Sequence, residues 1–281
     1  GEWEFGGQIN FGTFDEQNCR GTESTWPICV DDSNVFHVVW ESIESDEAEI
    51  VYRQKSYRGP WSDTTVNVTE DDQSSTNPGH PSLASYFNAT DTSFRTMVGY
   101  ASQNQDNSEF KNRILNQKTG EWSNFGYIST EGGKHLWNAN APGGVKTGNM
   151  INTGNNEIFA VWPYRDGSPD TFRSIWYRIV EQSFAEKRVF ADDSNYLAQN
   201  VCPYPDQEGN VHLVYSSGDG PTKEDIYWAK YTTSTDGFSN PPTKISYCDS
   251  GGFATMPYVV SNDMGEGNYL LHYIWQESYG R

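Results

Sequence analysis

The last eleven residues, LHYIWQESYGR (271–281), decide how the whole chain is read. His272 to Trp275 carries the strongest strand signal in the protein, and the chain stops six residues later. A strand presents a row of unpaired N–H and C=O groups unless neighbours take them up. The partners of this strand must come from elsewhere in the sequence, and a repeat is the place to look for them.

HYIW (272–275) has counterparts in HVVW (37–40), MVGY (97–100), FAVW (159–162) and HLVY (212–215). Each is preceded by a short proline-containing segment: WPICV from Trp26, HPSLA from His80, APGGV from Ala141, CPYPD from Cys202 and MPYVV from Met256. Their prolines, Pro27, Pro81, Pro142, Pro203 and Pro257, stand 54 to 61 residues apart. The first four units continue into a third run: EIVYR from Glu49, FKNRI from Phe110, SIWYR from Ser174 and DIYWA from Asp225. Turns such as Gly59-Pro60-Trp61, Gly120-Glu121-Trp122 and Gly237-Phe238 follow, and then a fourth short run such as TTVNV (64–68), FGYIS (125–129) or TKIS (243–246).

Short β-branched and aromatic runs between Gly/Asn/Asp/Ser turns, with no amphipathic helix of useful length, make the chain all-β. Four strands per unit, repeated radially, describe a β-propeller, whose strands a to d run from the central channel outward. Proline is tolerated at the first residue of strand a, which need not donate to the ladder. The fifth unit has strands a and b only. Glu2-Trp3-Glu4-Phe5 and GGQINF (6–11) supply its missing strands c and d. The expectation is one domain: a five-bladed propeller of four-stranded antiparallel blades over roughly 22–70, 77–130, 138–192, 198–247 and 252–281 plus 1–18. The N-terminal strands complete the last blade and close the ring, which removes the open sheet edges.

The 281 residues include 38 acidic and 19 basic side chains, a formal charge of −19. Such a field repels nucleic acid and anionic membranes, and disfavours polyanionic glycans unless a local basic patch or bound cation intervenes. The apolar runs are far shorter than the roughly 20 residues that span a bilayer, so no membrane insertion is expected. The chain begins with Gly and shows no signal peptide, the pattern of a mature ectodomain. Two sequons, Asn67-Val68-Thr69 and Asn88-Ala89-Thr90, and four cysteines without CxxC spacing point the same way, to a secreted or cell-surface protein. Four cysteines allow three connectivities. Sequence does not choose among them; Cys19–Cys29 and Cys202–Cys248 is the favoured pairing, the first clamping the N-terminal segment near the closure.

The repeat accounts for much of the notable chemistry. His37, His212 and His272 share one position of strand b with Met97 and Phe159, which marks it as a packing position. Trp40, Trp162 and Trp275, with Tyr52, Tyr177 and Trp228, read as inter-blade core. Ligand chemistry is expected where d–a linkers and b–c loops meet at the channel mouth. That face offers Trp26 and His80 before the prolines, then His135, Trp137 and Asn140 in EGGKHLWNAN (131–140). It also offers Tyr164 and Arg165 in the third b–c loop, and Tyr204 and Tyr258 beside strand a. Aromatic rings stack on the apolar faces of a sugar, and planar polar groups pair with its hydroxyls, so the set suits a glycan or polysaccharide.

Glycoside hydrolysis needs two carboxylates across the scissile bond. No residue before a strand-a proline is acidic, and Asp31-Asp32 reads as an a–b turn. Asp166 and Asp170 are candidate acids on the expected face, and His80 a candidate base. The sequence contains no GxSxG, HExxH, P-loop or EF-hand motif, and no metal site is assigned. The acidic stretches Glu44-Ser45-Asp46-Glu47 and Glu70-Asp71-Asp72 are the candidates for Ca²⁺, the one cofactor considered.

Strand-a proline, the h-H-h-V-W run, E-I-x-Y-R and the Gly-Trp turn together resemble the sialidase-like, BNR-type propellers over almost the whole chain. Ser234-Thr235-Asp236-Gly237-Phe238 stands where that family's Asp-box falls, at a c–d turn. Six blades, a Phe-Arg-Ile-Pro start and an arginine triad are not matched, so the resemblance implies the fold and not sialidase activity. Five-bladed lectins of the tachylectin type and arabinanase-like hydrolases share the expected blade number. Three functions follow as expectations: a lectin-like glycan-binding propeller, a glycoside hydrolase or polysaccharide lyase, and a structural or adhesion domain that binds another protein.

Overall fold

The computed structural model describes residues 27–44, 47–72, 78–104, 107–129, 148–154, 157–165, 173–180, 187–189, 199–218, 224–239, 241–247, 252–265 and 268–279. These residues form antiparallel sheets, each a meander of consecutive strands. The first sheet holds β1 (Ile28–Val30), β2 (Val35–Glu44), β3 (Glu47–Ser56) and β4 (Val66–Asn67) in that order. The second holds β5 (Gly79–Asn88), β6 (Ser93–Asn104), β7 (Asn107–Asn116) and β8 (Glu121–Trp122), with β9 (Gly126–Tyr127) also on β7. The third holds β10 (Asn149–Asn152), β11 (Ile158–Arg165), β12 (Arg173–Val180) and β13 (Lys187–Arg188). The fourth holds β14 (Gln199–Pro205), β15 (Val211–Ser217), β16 (Asp225–Thr232) and β17 (Gly237–Phe238), with β18 (Thr243–Lys244) also on β16. The fifth is the hairpin β19 (Gly252–Gly265) and β20 (Asn268–Tyr279).

Each sheet packs on the next in chain order. The second strands of the second, third and fourth sheets are therefore covered on both faces, and β15 (VHLVYSS) is buried at every residue, whereas β20 alternates exposed residues such as Leu270 and Ile274 with half-buried ones. Strands read as near-continuous apolar runs when both faces are covered. One core cluster joins the first two sheets through Val39, Ile50, Leu83, Val98 and Tyr100. Another joins the second and third through Met97, Phe110, Met150 and Trp162. The contact there is close because two glycines leave room for a ring. A Cβ on Gly148 would stand 2.4 Å from Phe110, and one on Gly99 2.8 Å from it.

The strand-b repeat holds in the structure. His37, Met97, Phe159 and His212 pair with Cys29, Ala84, Ile151 and Tyr204 of the innermost strands, and all four are buried. His272 pairs with Val260 in the fifth sheet but is exposed, so the packing role expected of it is not met there, because no further sheet covers that face among the described residues. The prolines, by contrast, do not share a register. Pro27 lies two residues before the paired inner-strand residue, Pro203 one, and Pro81 and Pro257 three. Pro81 and Pro257 occupy β-bulges, and Val201 fills the equivalent bulge of β14. A bulge is one of the few places where a sheet accepts proline. The segment Ala141–Val145 lies outside the described residues, and the inner strand of the third sheet is Asn149–Asn152.

Equivalent residues of adjacent inner strands meet at the same height. Asn152 Nδ2 donates to the Ser85 carbonyl at 2.7 Å, and Asn149 Nδ2 to that of Val201 at 2.6 Å. Ser261 Oγ donates to the Tyr204 hydroxyl at 3.2 Å. The inner strands therefore run side by side in one direction, as radial repetition requires. Residues 1–26, and with them the strands expected to complete the fifth sheet, lie outside the described residues.

Charge also fastens neighbouring sheets. Asp72 follows β4, and both its carboxylate oxygens accept from Lys111 Nζ of β7 at 3.1 Å. It also accepts from the Tyr100 hydroxyl at 2.9 Å. Both charged side chains are almost fully buried. Removing one partner of such a pair leaves the other charge uncompensated, at a cost of about 3–5 kcal/mol. Asp72→Ala should therefore lower the unfolding free energy by about that much in urea titrations, and the double variant Asp72→Leu/Lys111→Met by clearly less. Equal losses in both variants would show that the ion pair is not what ties the two sheets.

Candidate functional site

A cavity of about 210 Å³ opens among the innermost strands. Cys29, Asp31 and Asp32 line it from the first sheet, Ser85 and Tyr86 from the second, Asn152 from the third and Tyr204 from the fourth. Asp31 and Asp32 follow β1, Asn152 ends β10 and Pro205 ends β14. The cavity thus belongs to the C-terminal ends of the inner strands, the end that carries the a–b turns. The repeat alone points to the opposite end, where the strands begin.

Among the expected site residues, Tyr204 lines this cavity. His80 sits at the far end of β5, in the bulge, with a left-handed φ of 51°; its N–H donates to Glu41 Oε2 at 3.4 Å. Tyr258 packs between the fourth and fifth sheets beside Cys202 and Val214. Tyr164 and Arg165 end β11. Trp26, His135, Trp137, Asn140, Asp166 and Asp170 lie outside the described residues. Sequence reasoning misses Ser85, Tyr86 and Asn152. Counting inward from the strand-b position, rather than from the prolines, places all three beside the cavity.

The two acids at the cavity differ. Asp31 is buried and spent on its own turn: Oδ1 accepts from Ser33 N at 2.8 Å and Val35 N at 3.0 Å, and Oδ2 faces His37 Nε2 at 3.2 Å. Asp32 is exposed. Both carboxylates lining the cavity therefore come from one turn, with none across from them among the lining residues. Asn152 is fully used, since its Oδ1 accepts from Gly154 N at 2.9 Å while its amide holds Ser85. Cys29 carries a free thiol, 3.3 Å from Ser85 Oγ, and burial pushes its pKa up to about 12. So protonated a thiol is a poor nucleophile. Cys202 is buried, and Cys19 and Cys248, the expected disulfide partners, lie outside the described residues.

His37 and His212 pack as expected and do more. Asp206-to-His212 repeats Asp31-to-His37 at the same spacing, with Asp206 Oδ2 3.4 Å from His212 Nε2. Trp228 Nε1 donates to His212 Nδ1 at 3.2 Å, and His37 Nδ1 lies 2.7 Å from the Tyr52 hydroxyl. Asp206 also accepts from Asn210 N, closing the turn. These pairs clamp a–b turns to strand b. Asp236 of the Asp-box-like stretch serves a similar end. It takes the Tyr231 hydroxyl at 3.0 Å and Lys187 of the third sheet, so it fastens the third sheet to the fourth.

For Ca²⁺, Asp72 is already bonded to Lys111 and Tyr100, which leaves Glu70 and Asp71 as exposed acids of that stretch. Ser45 and Asp46 lie outside the described residues, and no cluster of three or more metal-ligating side chains is found among the described ones. No described helix is long and apolar enough to cross a membrane. The two sequons differ. Asn88 and Thr90 stand on an exposed a–b turn, whereas Thr69 is buried and bonds the Ile50 amide.

No family model matches the chain, and no curated protein matches it. Solved structures do. An α-L-arabinanase of Penicillium chrysogenum complexed with arabinobiose superposes with a TM-score of 0.60 at 12 % identity, over 92 % of this chain and 77 % of that one. A protein of unknown function from Dyadobacter fermentans DSM 18053 gives 0.52 at 9 % identity, over 83 % and 70 %. At these identities the likeness is one of fold, and it places the chain with the propeller-type all-β proteins.

Burial disfavours the imidazolium of His37 and His212 and holds both rings below the ordinary histidine pKa, despite their carboxylate neighbours. The unfolded chain takes up these protons near pH 6.5, before the folded state does. Stability is therefore fully present above about pH 6.5 and falls as pH drops toward the depressed folded values. His37→Phe/His212→Phe, which copies the Phe159 solution at both sites, should flatten the fall in urea midpoint between pH 7 and pH 5. An unchanged slope would mean that other groups set the acid sensitivity.

Proposed function

We propose that this chain is a secreted or cell-surface five-bladed propeller that binds a neutral saccharide in its central channel. Residues 1–18 complete the fifth blade and close the ring. The observation that carries the reading is the cavity itself. Four successive inner strands supply one opening, which joins the rings of Tyr86, Phe94 and Tyr204 to the exposed carboxylate of Asp32. Rings give a stacking floor for C–H faces, and a carboxylate accepts from two sugar hydroxyls. At about 210 Å³ the space is below the roughly 300–1,000 Å³ of drug-sized sites, the scale of one terminal sugar ring.

A second reading, glycoside hydrolysis, is favoured by the shared fold of the arabinanase and by two adjacent acids at the cavity. The binding reading is preferred because Asp31 is consumed by its turn and both acids come from one wall. Hydrolysis needs acids on opposite sides of the bond.

Titration with arabino- and xylo-oligosaccharides should show binding by the native chain. Tyr204→Ala or Asp32→Asn should weaken it about tenfold or more, with the thermal midpoint of Asp32→Asn unchanged. Incubation with the parent polysaccharides should release no new reducing ends. Release that Asp32→Asn abolishes would transfer the assignment to a hydrolase. Binding by neither route would remove the channel as the site.

A further inference from the structure

The turn after β3 holds a cluster that the channel does not use: Lys55, Tyr57, Arg58 and Trp61. We propose that this turn is a surface site for a polysaccharide bearing carboxylate or sulfate groups. The inference rests on the glycan reading only for the class of partner, and it concerns a different part of the molecule.

Among the described lysine and arginine side chains, the rest each bond a carboxylate or a backbone carbonyl. Arg53 is spent on the Ser62 carbonyl, Arg113 on those of Val68 and Ser123, and Lys118 on that of Asp91. Arg178 holds the Ile128 carbonyl. Lys111, Arg95, Lys187, Lys230 and Lys244 are paired with aspartates. Lys55 and Arg58 instead face aromatic rings. Lys55 Nζ lies 5.9 Å from the centre of Trp61, and the Arg58 guanidinium carbon 5.1 Å from that of Tyr57. In a chain with twice as many acids as bases, two cations without a carboxylate or carbonyl partner are conspicuous.

The turn is also held in a fixed shape. Lys55 and Trp61 form a β-bridge, Gly59 N donates to Ser56 O at 2.9 Å, and Tyr57 N to the Asn34 carbonyl at 2.9 Å. Arg58 has a left-handed φ of 60°, a conformation that a bulky side chain adopts at a cost. Tyr57 is 60 % exposed. An exposed Tyr57 ring and a half-buried Trp61 ring next to unspent cations match what an anionic sugar presents: a C–H face for stacking, and an oxyanion for a planar guanidinium and an ammonium. The bond to Asn34 ties this turn to the a–b turn that carries Asp32, so the patch and the cavity share one end of the molecule. Asp63 is the acid nearest in sequence and Asp32 stands on the adjoining a–b turn, and neither is paired with Lys55 or Arg58 among the described residues. The patch is thus the local basic exception to a field that would otherwise repel such a polymer.

Affinity electrophoresis and titration of the full chain would use polygalacturonate for the carboxylate source, dextran sulfate for the sulfate source and polyglutamate for an acidic polypeptide. Retardation by at least one of the two polysaccharides is expected, with the apparent Kd raised about tenfold or more in Lys55→Gln/Arg58→Gln, whose thermal midpoint should not move. Tyr204→Ala should leave this binding unchanged, so loss of the neutral-sugar site and loss of this site are read separately. Three results would overturn the proposal: no binding of either polysaccharide, binding unaffected by the double variant, or polyglutamate bound as tightly as the polysaccharides.

Discussion

One constraint organises this molecule: the second strands of its second, third and fourth sheets are buried on both faces. A strand such as β15, with no exposed residue, cannot lie on the outside of anything. Such a sheet must be sandwiched between two others, and the second, third and fourth sheets meet that need by packing on their neighbours in chain order. The position shared by His37, Met97, Phe159 and His212 is where this matters most. Apolar side chains satisfy it by packing alone. Histidine satisfies it only with a carboxylate and an aromatic partner, which is why Asp31 and Asp206 recur six residues upstream. The a–b turns are fixed by the same bonds, and those turns form the wall of the cavity.

Much of this is legible in the sequence. The strand-b runs ending in an aromatic recur from the first unit to the last, and in the second, third and fourth sheets double burial restricts the residue types that this strand tolerates. The all-β class, the order of strands within each sheet and the packing role of His37 and His212 follow from them. The prolines are a weaker guide. Their even spacing comes from a conformational tolerance, bulge or strand start, that several neighbouring positions satisfy equally. Anchoring on them misplaces the inner strand of the third sheet and hides the level at which Ser85, Tyr86 and Asn152 stand.

The end of the inner strands that holds the cavity is not legible. Asp31-Asp32 reads correctly as a turn, and a turn draws attention away from both acids. A turn residue can nevertheless line the cavity when its strand is innermost, and nothing in the order of residues says at which end of those strands a cavity forms. Lys55 and Arg58 are invisible for a related reason. A lone basic residue in sequence is ordinary, and it becomes informative only once the other described cations are seen to have found partners.

The most direct test of the account is amide hydrogen exchange along β20. In an antiparallel hairpin, alternate N–H groups of one strand point at its partner and the others point away. If residues 1–18 pair with the outer edge of β20 and close the ring, successive amides from Tyr269 to Glu277 should all be strongly protected. Protection alternating with fast exchange along that stretch would show an open edge. The closed five-bladed ring would then be wrong.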